Sequence, residues 1–562
     1  MTRPTPSTPL VPPGRATALL ASALLAAAPA QASDADWRMG GQNLSNTRHQ
    51  AAERHITPHR VATLAPRWVL DTDGDVSATP AVVGGQVYVP DWAGKLYRID
   101  ARSGQVRWKV TLPAVSRATP TVAGDRLIVP LLRLPDGTPC AGQLPAGACV
   151  LAIDRHSGAT LWQSRIDAQP LAYVTQSPVV HAGRVYVGIT SAEETLAGLQ
   201  PGYPCCSFRG AVTALDLRTG APVWKTHTVP DGAGRPPGDR YSGGGVWGST
   251  PVVDAARGML YVGTGNNYGV PQAVKTCFAL FGAPSCETAA DNHADSILAL
   301  DLGTGAIRWA RSFRGTDALA WEAALIGYDA WNLSCVAFLF GGSTANCPSP
   351  AGPDYDFAQG PMLYRTRGPG SRELLAVGQK SGVMRALDPD DGRVVWATVT
   401  GPGGLAGGLQ WGSATDGDAI YFANSNSDMK PVTINGQLGF GGFWGAIDAA
   451  TGNLRWRTAD PNPLSGAYGA VTVANGVVFA GSIGGPSPFT TIPGQHRTAP
   501  TMFAFDAASG AVRWTYVAGG SVVGGAAVVD GWVYWGSGYS SFGVGVDNRK
   551  LFAFALPGAP DR

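Results

Sequence analysis

The chain has 562 residues, of which 15% are charged and 44% are hydrophobic, with 75 glycines and a formal net charge of +2. The hydrophobic content excludes a disordered chain, and the near-neutral charge shows no electrostatic footprint for nucleic acid. A chain of this length usually divides into several domains, unless one fold grows by repetition.

The N-terminal segment has the pattern of a secretory signal peptide. An apolar run over residues 16–30 follows Arg15, and residues 30–32 form an A-x-A cleavage sequence. We therefore expect a signal peptide over residues 1–32, export to a bacterial periplasm, and a mature domain over residues 33–562. The alternative, a retained membrane anchor, is disfavoured because the run is short for a span, and no later segment is apolar enough.

One pattern, Asp-x-x-x-Gly-x-x-x-Trp, occurs seven times along the mature chain. An apolar strand leads into the Asp, a turn ends at the Gly, and a second strand carries the Trp. The Asp caps the turn, the Gly supplies a positive φ, and the Trp buries a large ring whose N–H needs a partner. The copies are Asp100/Gly104/Trp108, Asp154/Gly158/Trp162, Asp216/Gly220/Trp224, Asp301/Gly305/Trp309, Asp388/Gly392/Trp396, Asp448/Gly452/Trp456 and Asp506/Gly510/Trp514.

Two half-repeats at the ends of the mature chain complete an eighth unit. Residues 66–68 match a Trp strand without its turn, and residues 550–554 match the first strand without its Trp strand. Their pairing closes a ring and removes the last free sheet edge. The sequence therefore predicts an all-β, eight-bladed β-propeller with tryptophan-docking repeats and closure between the N- and C-terminal halves of one blade. The strands predicted for the first unit cover residues 78–82, 86–90, 95–100 and 105–110.

The middle units carry long insertions, and loops on a rigid scaffold commonly hold binding sites. The insertions cover residues 134–148, 190–209, 268–294 and 316–360.

Eight cysteines fall into four local pairs, and proximity predicts four short-range disulfides in an oxidising compartment. The pairs are Cys140/Cys149, Cys205/Cys206, Cys277/Cys286 and Cys335/Cys347. The vicinal pair has an alternative, two separate partners or free thiols. No C-x-x-C-H sequence for a covalent haem and no zinc-type spacing occurs.

The repeats, with Asp36-Trp37 and Asn46-Thr47-Arg48 before them, resemble the quinoprotein alcohol dehydrogenases over nearly the whole mature chain. Within that family the chain is most similar to the polyvinyl alcohol dehydrogenases. The stretches that carry this likeness are residues 203–210 (YPCCSFRG), 245–251 (GVWGSTP), 291–296 (DNHADS) and 354–360 (DYDFAQG). The resemblance implies a propeller that holds pyrroloquinoline quinone (PQQ) and a metal ion on its axis.

Matching the chain to the family's motifs implies a set of site residues. The cofactor-binding candidates are Arg117, Thr175, Trp247, Lys380, Gln410, Cys205, Cys206 and Arg209. The metal-binding candidates are Glu193, Asn266, Asp354 and Asp356, and one of the two aspartates is the catalytic base. In the family, an Asp two places after the base marks members that take a lanthanide instead of calcium, so both metals stay open.

Each candidate also has a plainer interpretation. Glu193 could be a solvated loop carboxylate, and Asn266 could be an ordinary turn residue. Trp247 could be one more core Trp of a blade. Asp354 and Asp356 lie in a Pro- and Gly-rich loop, where aspartates usually cap turns.

The resemblance implies a periplasmic, PQQ- and metal-dependent alcohol dehydrogenase, with secondary hydroxyls of polyvinyl alcohol as candidate substrates. The metal acts as a Lewis acid, an Asp takes the hydroxyl proton, and the cofactor carries the redox step. Electrons would pass to a separate cytochrome c, because this chain lacks the haem domain of some members. The alternative is a non-catalytic propeller scaffold of the outer-membrane assembly type, which has no need for a charged and aromatic axis.

Overall fold

A computed structural model describes residues 1, 2, 4, 35–132, 147–282, 284–287, 289–314, 327–485, 499–540 and 545–559. The predicted signal peptide, apart from three terminal residues, lies outside the described residues. So do Cys140 and parts of the insertions predicted over residues 134–148 and 316–360.

Seven four-stranded antiparallel sheets and one five-stranded sheet form the eight blades of a propeller, which confirms the predicted fold. Each blade runs from a short inner strand to a longer outer strand. The first strand along the chain is β1 (Ala65–Asp71), which is the outer strand of blade eight. Blade one contains β2 (Ala81–Val83), β3 (Gln86–Pro90), β4 (Lys95–Asp100) and β5 (Val106–Thr111); blade two contains β6 (Thr121–Ala123), β7 (Arg126–Leu131), β8 (Cys149–Asp154) and β9 (Thr160–Arg165). Blade three contains β10 (Ala172–Tyr173), β11 (Val179–His181), β12 (Arg184–Ser191), β13 (Ala211–Asp216) and β14 (Pro222–His227).

Blade four and the later blades repeat this order, with two short ribbons inserted. The ribbon of β15 (Ser242–Gly243) and β18 (Asn267–Gly269) flanks blade four, which contains β16 (Val252–Asp254), β17 (Met259–Gly263), β19 (Ser296–Asp301) and β20 (Ile307–Ser312). Blade five contains β21 (Met362–Arg365), β22 (Glu373–Gly378), β23 (Val383–Leu387) and β24 (Val394–Val399). Blade six contains β25 (Ala414–Thr415), β26 (Ala419–Asn424), β29 (Phe443–Asp448) and β30 (Leu454–Ala459), with the hairpin of β27 (Val432–Ile434) and β28 (Gln437–Gly439). Blade seven contains β31 (Thr472–Ala474), β32 (Val477–Gly481), β33 (Thr501–Asp506) and β34 (Val512–Val517), and blade eight contains β35 (Ala527–Val529), β36 (Trp532–Ser537), β37 (Lys550–Ala555) and β1.

Apart from one turn before β1, the described helices lie in the inserted segments. They are α1 (Glu193–Leu199), α2 (Gln272–Phe281), and short 3₁₀ turns at Val61–Thr63, Pro284–Cys286, Leu333–Cys335 and Ala337–Phe340. Among the described helices, none is long and apolar enough to cross a membrane. Three predicted disulfides are formed, which are Cys205–Cys206, Cys277–Cys286 and Cys335–Cys347.

The repeat motif links each blade to the next, as predicted. In the fourth copy the Asp301 carboxylate accepts the N–H of Gly303 and of Thr304, at 2.9 Å each, and so closes the turn. The Trp224 indole of the preceding blade donates to the Leu302 carbonyl at 3.1 Å. Its ring lies so close to Gly305 that a Cβ there would sit 2.5 Å away.

Ring closure also follows the prediction. Strand β1 pairs antiparallel with β37, with Ala65 opposite Ala555. The Trp514 indole of blade seven donates to the Leu64 carbonyl at 3.0 Å, so the first residues of the fold complete the docking series.

The N-terminal segment over residues 35–50 crosses one end of the propeller axis. Trp37 forms a bridge with Val82 of blade one, and His49 forms one with Val473 of blade seven. Asn46 donates from its side-chain amide to the Pro361 carbonyl at 2.8 Å, beside blade five. One short segment therefore joins distant blades and closes the axis from one side.

Candidate functional site

A cavity of about 450 Å³ lies on the axis. Its polar lining contains Glu194, Thr195, Asp354, Lys380 and Gln410, its aromatic lining contains Trp331, Trp411, Tyr468 and Tyr539, and its aliphatic lining contains Leu199, Leu333, Leu405, Ala406, Ile483 and Val523. This size and the few convergent polar groups are typical of a small-molecule site.

Lys380 joins the two candidate catalytic aspartates. Its ammonium donates to Asp354 Oδ2 at 3.0 Å and to Asp356 Oδ2 at 2.9 Å, and all three side chains are buried. Burial lowers the pKa of Lys380, but the carboxylates of Asp354, Asp356 and Glu194 outweigh burial and raise it. Lys380 is therefore a fixed cation in this site.

The two aspartates differ in the atoms that they leave free. Asp356 accepts the Asn266 N–H at 2.5 Å and the Trp247 indole N–H at 3.2 Å, besides the Lys380 ammonium. Asp354 Oδ1 is buried and has no hydrogen-bond partner in the described part of the chain. Burial raises the pKa of Asp354 well above its usual range; Lys380 opposes this, and Asp356 adds to it.

Asp329 holds the backbone of the Asp354 loop. Its carboxylate accepts the N–H of Asp354 at 3.0 Å and of Tyr355 at 2.7 Å. Asp354 has a φ of +60°, a left-handed conformation that costs energy in a residue with a side chain. Burial raises the pKa of Asp329 to about 7, although these two hydrogen bonds oppose the rise.

The structure separates Glu193 from the cavity and brings Glu194 to it. The Glu193 carboxylate is fully buried and accepts hydrogen bonds from Tyr203 Oη, Ser207 N, Ser207 Oγ and Phe208 N, at 2.6 to 3.0 Å. Glu194, the next residue of α1, lines the cavity instead. Burial raises the pKa of Glu194 to about 8, and the Asp356 carboxylate adds to the rise. Glu194, and not Glu193, is therefore the carboxylate of α1 that faces the cavity.

Asn266 and Trp247 lie beside Asp356, as the motifs implied. The Asn266 amide nitrogen donates to the Trp331 carbonyl at 2.9 Å, which leaves its oxygen as the amide atom available to a cation. The Trp247 ring is half-buried beside the Lys380 ammonium, which lies 5.4 Å from the ring centre.

Arg117, Thr175 and Gln410 lie around a second aromatic ring, that of Trp411. The Arg117 guanidinium lies 4.7 Å from the Trp411 ring centre and donates to the Tyr539 hydroxyl at 3.1 Å. Thr175 Oγ1 donates to the Trp247 carbonyl at 3.1 Å. Gln410 lines the cavity, and its Oε1 is buried with no partner among the described residues.

Two other predicted cofactor contacts lie away from this lining. The Cys205–Cys206 disulfide is buried in an apolar cluster with Ala197 and Phe208. The Arg209 guanidinium donates to the Val229 carbonyl at 3.0 and 3.1 Å, and it is not part of the cavity lining. The structure thus gives Arg209 a loop-bracing contact rather than the expected place at the cofactor.

Sequence reasoning missed several residues of the site. Glu194, Asp329, Trp331, Trp411 and Tyr539 carried no motif signal of their own, because the fold alone assembles them. Asp295 is also new: it is fully buried, and neither carboxylate oxygen has a partner in the described ranges. Burial raises the pKa of Asp295 well above its usual range, and the Asp329, Asp356 and Asp354 carboxylates add to it.

A family model described as outer membrane protein assembly factor BamB matches residues 37–311 and 379–538. Two polyvinylalcohol dehydrogenases are 29% identical to this chain. The protein from Sphingopyxis sp. (strain 113P3) aligns over 89% of this chain and 73% of its own length, and the one from Pseudomonas sp over 93% and 77%. The crystal structure of quinohemoprotein alcohol dehydrogenase from Comamonas testosteroni has the same fold, with a TM-score of 0.65 at 19% identity over 94% of this chain and 81% of that one.

Proposed function

Because this chain belongs to the family of PQQ-type propellers described as outer membrane protein assembly factor BamB, and is a PQQ-dependent alcohol dehydrogenase, we propose that it oxidises secondary hydroxyls of polyvinyl alcohol. The observation that carries the proposal is the axial cavity, in which Asp354 has one free carboxylate oxygen beside a largely aliphatic wall.

The lining fits PQQ, a planar aromatic molecule with three carboxylates. Trp411 in the cavity wall and Trp247 beside Lys380 provide flat apolar faces, and Lys380 in the wall and Arg117 against Trp411 provide positive charge. The unpartnered Gln410 oxygen supplies a further polar atom. We assign these residues to cofactor binding.

The same lining fits a multivalent cation. Glu194, Asp329, Asp354 and Asp356 place four carboxylates against the single ammonium of Lys380, and buried carboxylates need a counter-charge. No three His, Cys, Asp or Glu side chains of the described residues converge closely enough to hold a metal ion by themselves. The proposed site therefore combines the Glu194 carboxylate with the Asn266 amide oxygen, and oxygens of the bound ligands would complete the shell of calcium or a lanthanide.

Asp354 is the proposed catalytic base. When bound, PQQ supplies the two-electron acceptor and the cation supplies a Lewis acid. Lys380 holds Asp354 Oδ2, so the free Oδ1 is the atom that can take the hydroxyl proton of an alcohol in the cavity. The Asp356 oxygens are engaged by Asn266, Trp247 and Lys380, which suits a positioning role.

The aliphatic wall supports a substrate with an apolar backbone. Leu199, Leu333, Leu405, Ala406 and Ile483 face the same cavity as Asp354. Polyvinyl alcohol presents methylene groups between its hydroxyls, so such a wall can bury the chain while one hydroxyl reaches the base.

The proposal places the reaction in the periplasm and the electron acceptor in a separate cytochrome c. The predicted signal peptide and three disulfides support an oxidising, exported location. The chain has no C-x-x-C-H sequence for a haem of its own.

Reconstitution tests the proposal. Purified protein receives PQQ with either calcium or lanthanum, and dye reduction is followed with polyvinyl alcohol, 2-alkanols and methanol. We expect alcohol-dependent reduction only with PQQ and one of the metals, with secondary alcohols preferred over methanol. Absence of alcohol-dependent reduction with both metals would refute it.

The alternative is a non-catalytic scaffold of the outer-membrane assembly type, which the description of the matching family model favours. The axial cluster argues against it, because a scaffold gains nothing from buried carboxylates that destabilise the fold. Binding of PQQ without alcohol-dependent reduction would refute the proposed reaction, so turnover is the deciding measurement.

A further inference from the structure

A second, smaller cavity of about 60 Å³ adjoins the first on the axis. We call it the lower chamber; it shares Trp411, Val523 and Tyr539 with the larger cavity. Hydroxyl groups dominate its polar lining, which includes Thr79, Thr119, Thr175, Ser177, Ser249 and Thr250. Two guanidinium groups, Arg48 and Arg117, also line it, and no acidic side chain of the described residues does.

Arg48 is a buried cation without an acidic partner. Only 2% of its surface is exposed. Its three nitrogens donate to neutral acceptors, the Val471 carbonyl at 2.8 Å, the Gly40 carbonyl at 2.6 Å and the Thr79 hydroxyl at 3.0 Å. Burial lowers the pKa of Arg48 to about 10, and no carboxylate offsets that effect. A buried, uncompensated charge is costly, so the site calls for an anion.

Arg117 adds a second positive charge to the same chamber. It stacks on Trp411 and donates to Tyr539, and it forms no ion pair with any described carboxylate. Two like charges that line one small cavity repel each other, and an anion between them removes that repulsion.

Thr250 gives an independent sign of a missing ligand. Its hydroxyl lines the chamber, is fully buried, and has no hydrogen-bond partner among the residues that the structure describes. Buried hydroxyls normally have a partner, so this O–H is available to an acceptor inside the chamber.

We infer that the lower chamber is a built site for one small monovalent anion of the halide class, held by Arg48 and the Thr250 hydroxyl, with Arg117, which the proposed cofactor also uses, on Trp411 and Tyr539 at the border of the two cavities. The chamber is too small for an organic anion to enter whole, and the N-terminal segment that carries Gly40 and Arg48 closes it from one side. The anion would neutralise the lower half of the axis whether or not the larger cavity is filled.

Bromide crystallography tests the inference directly on the wild-type chain. Crystals of the protein without and with PQQ are grown with bromide in place of chloride, and anomalous scattering locates the ion. We expect one bromide peak between Arg48 and Arg117 in both forms. Water alone in the chamber would overturn the inference, and so would a peak that a PQQ carboxylate replaces, because the chamber would then belong to the cofactor site.

Thermal unfolding of the PQQ-free protein gives a second test. Chloride is titrated against gluconate at constant ionic strength, and the midpoint is expected to rise with chloride, since a ligand of the native state stabilises it. Arg48→Gln is expected to abolish this dependence. Arg107→Gln, which removes an exposed arginine, is the matched control and is expected to keep it.

Thr250→Val keeps both arginines and so covers the case in which Arg48→Gln does not fold. We expect the chloride concentration that raises the midpoint by 1 °C to increase at least threefold in Thr250→Val. The same chloride dependence in Thr250→Val and wild type would contradict the inference. Neither test involves alcohol turnover, so the chamber and the proposed activity can fail separately.

Discussion

Glu193 and Glu194 are adjacent in α1 but face different surroundings. Successive helical residues point about 100° apart, so one carboxylate faces the loop of Ser207 and Phe208 and the other faces the axial cavity. Glu193 thus braces the segment behind α1, and Glu194 is the carboxylate that a cation in the cavity can reach.

The pair Glu194→Gln and Glu193→Gln separates these roles. Glu194→Gln is expected to lower the metal retained after reconstitution and gel filtration by about tenfold, with a small change in thermal midpoint. Glu193→Gln is expected to keep the metal but to lose about 1–3 kcal/mol of stability, because an amide nitrogen cannot accept the N–H groups that the carboxylate accepts. Metal analysis and thermal unfolding measure both; loss of metal in Glu193→Gln alone would contradict the assignment.

Asp460 lies outside the site, and its buried carboxyl should make the stability of the fold depend on pH. Burial raises the pKa of its carboxyl to about 7, although hydrogen bonds from Asn462 and nearby serines oppose the rise, and Oδ2 has no partner among the described residues. The folded pKa lies above the unfolded one, so its stabilising contribution is complete below about pH 4 and is lost as pH rises through 7.

Asp460→Asn removes this titration. We expect the variant to match wild type near pH 4 and to be more stable by up to about 4 kcal/mol at pH 8, since the folded pKa lies about three units above the unfolded one. Denaturant unfolding at both pH values measures the difference. A variant that is destabilised equally at both would show that the ionised carboxylate is well accommodated in the fold.

Much of the site could be predicted from sequence, but not the choice between neighbours. Asn266, Trp247 and Lys380, which the motifs singled out, all contact Asp356 in the structure. They could not decide between Glu193 and Glu194, since the direction of each side chain depends on where α1 starts. Asp329 was missed because it acts by accepting the backbone N–H groups of Asp354 and Tyr355, which lie in another loop. Such a contact leaves no local pattern in the sequence.

The Trp and Gly of successive repeats form one docking element between blades. The Gly is required twice, once for its positive φ and once because the neighbouring Trp ring occupies the space of a side chain. Because both requirements act on the same Gly, the repeat can be recognised in the sequence, and the number of blades could be predicted.

One docking contact differs from the others, and sequence could not show it. The Trp396 indole has no hydrogen-bond partner among the described residues. The Tyr364 hydroxyl donates to the Ala449 carbonyl at 2.8 Å, the position that the repeat assigns to the Trp396 indole. Tyr364 thus replaces the Trp396 indole as the donor through a long-range contact between blades five and six, which no local sequence pattern encodes.

Gly305→Ala and Gly436→Ala test the docking element. Both glycines have positive φ, +74° and +78°, but a Cβ at position 305 meets the Trp224 ring at 2.5 Å and one at 436 meets nothing within 4 Å. We expect Gly436→Ala to cost about 1 kcal/mol from backbone strain alone. Gly305→Ala is expected to cost about 2–4 kcal/mol, because overpacking adds to that strain. Equal losses by denaturant unfolding would show that the Trp contact contributes nothing.

The whole axis carries an asymmetric charge. Arg48 and Arg117 line the lower chamber, while Glu194, Asp354 and Asp356 surround the opposite end with only Lys380 among them. With the proposed anion offsetting Arg48 and Arg117, the carboxylates dominate the field at the larger cavity and favour a cation there, while Lys380 stays available to an acidic ligand. The proposed PQQ site depends on this arrangement, which the closed ring of blades maintains.

Closure of the ring rests on the pairing of β1 with β37, and a disulfide there tests its contribution. Ala65 and Ala555 are opposite each other in the antiparallel pair, where Cα separations of about 4.5–5.5 Å suit a disulfide. The bond would close a loop of about 490 residues (555 − 65). The loss of conformational entropy would raise the free energy of the unfolded chain by up to about 6 kcal/mol.

We expect the oxidised Ala65→Cys/Ala555→Cys protein to unfold about 5 °C above the matched Ala65→Ser/Ala555→Ser control, since a domain of this size shifts by about 1 °C per kcal/mol. Differential scanning calorimetry under oxidising conditions measures the shift, with mass spectrometry to confirm the bond. Because the crosslink joins the two ends of the ring, a gain of this size requires that unfolding separates β1 from β37. An unchanged midpoint would mean that the blades unfold while the closure stays intact, and the ring would then owe its stability to the Trp–Gly docking contacts rather than to the shared blade.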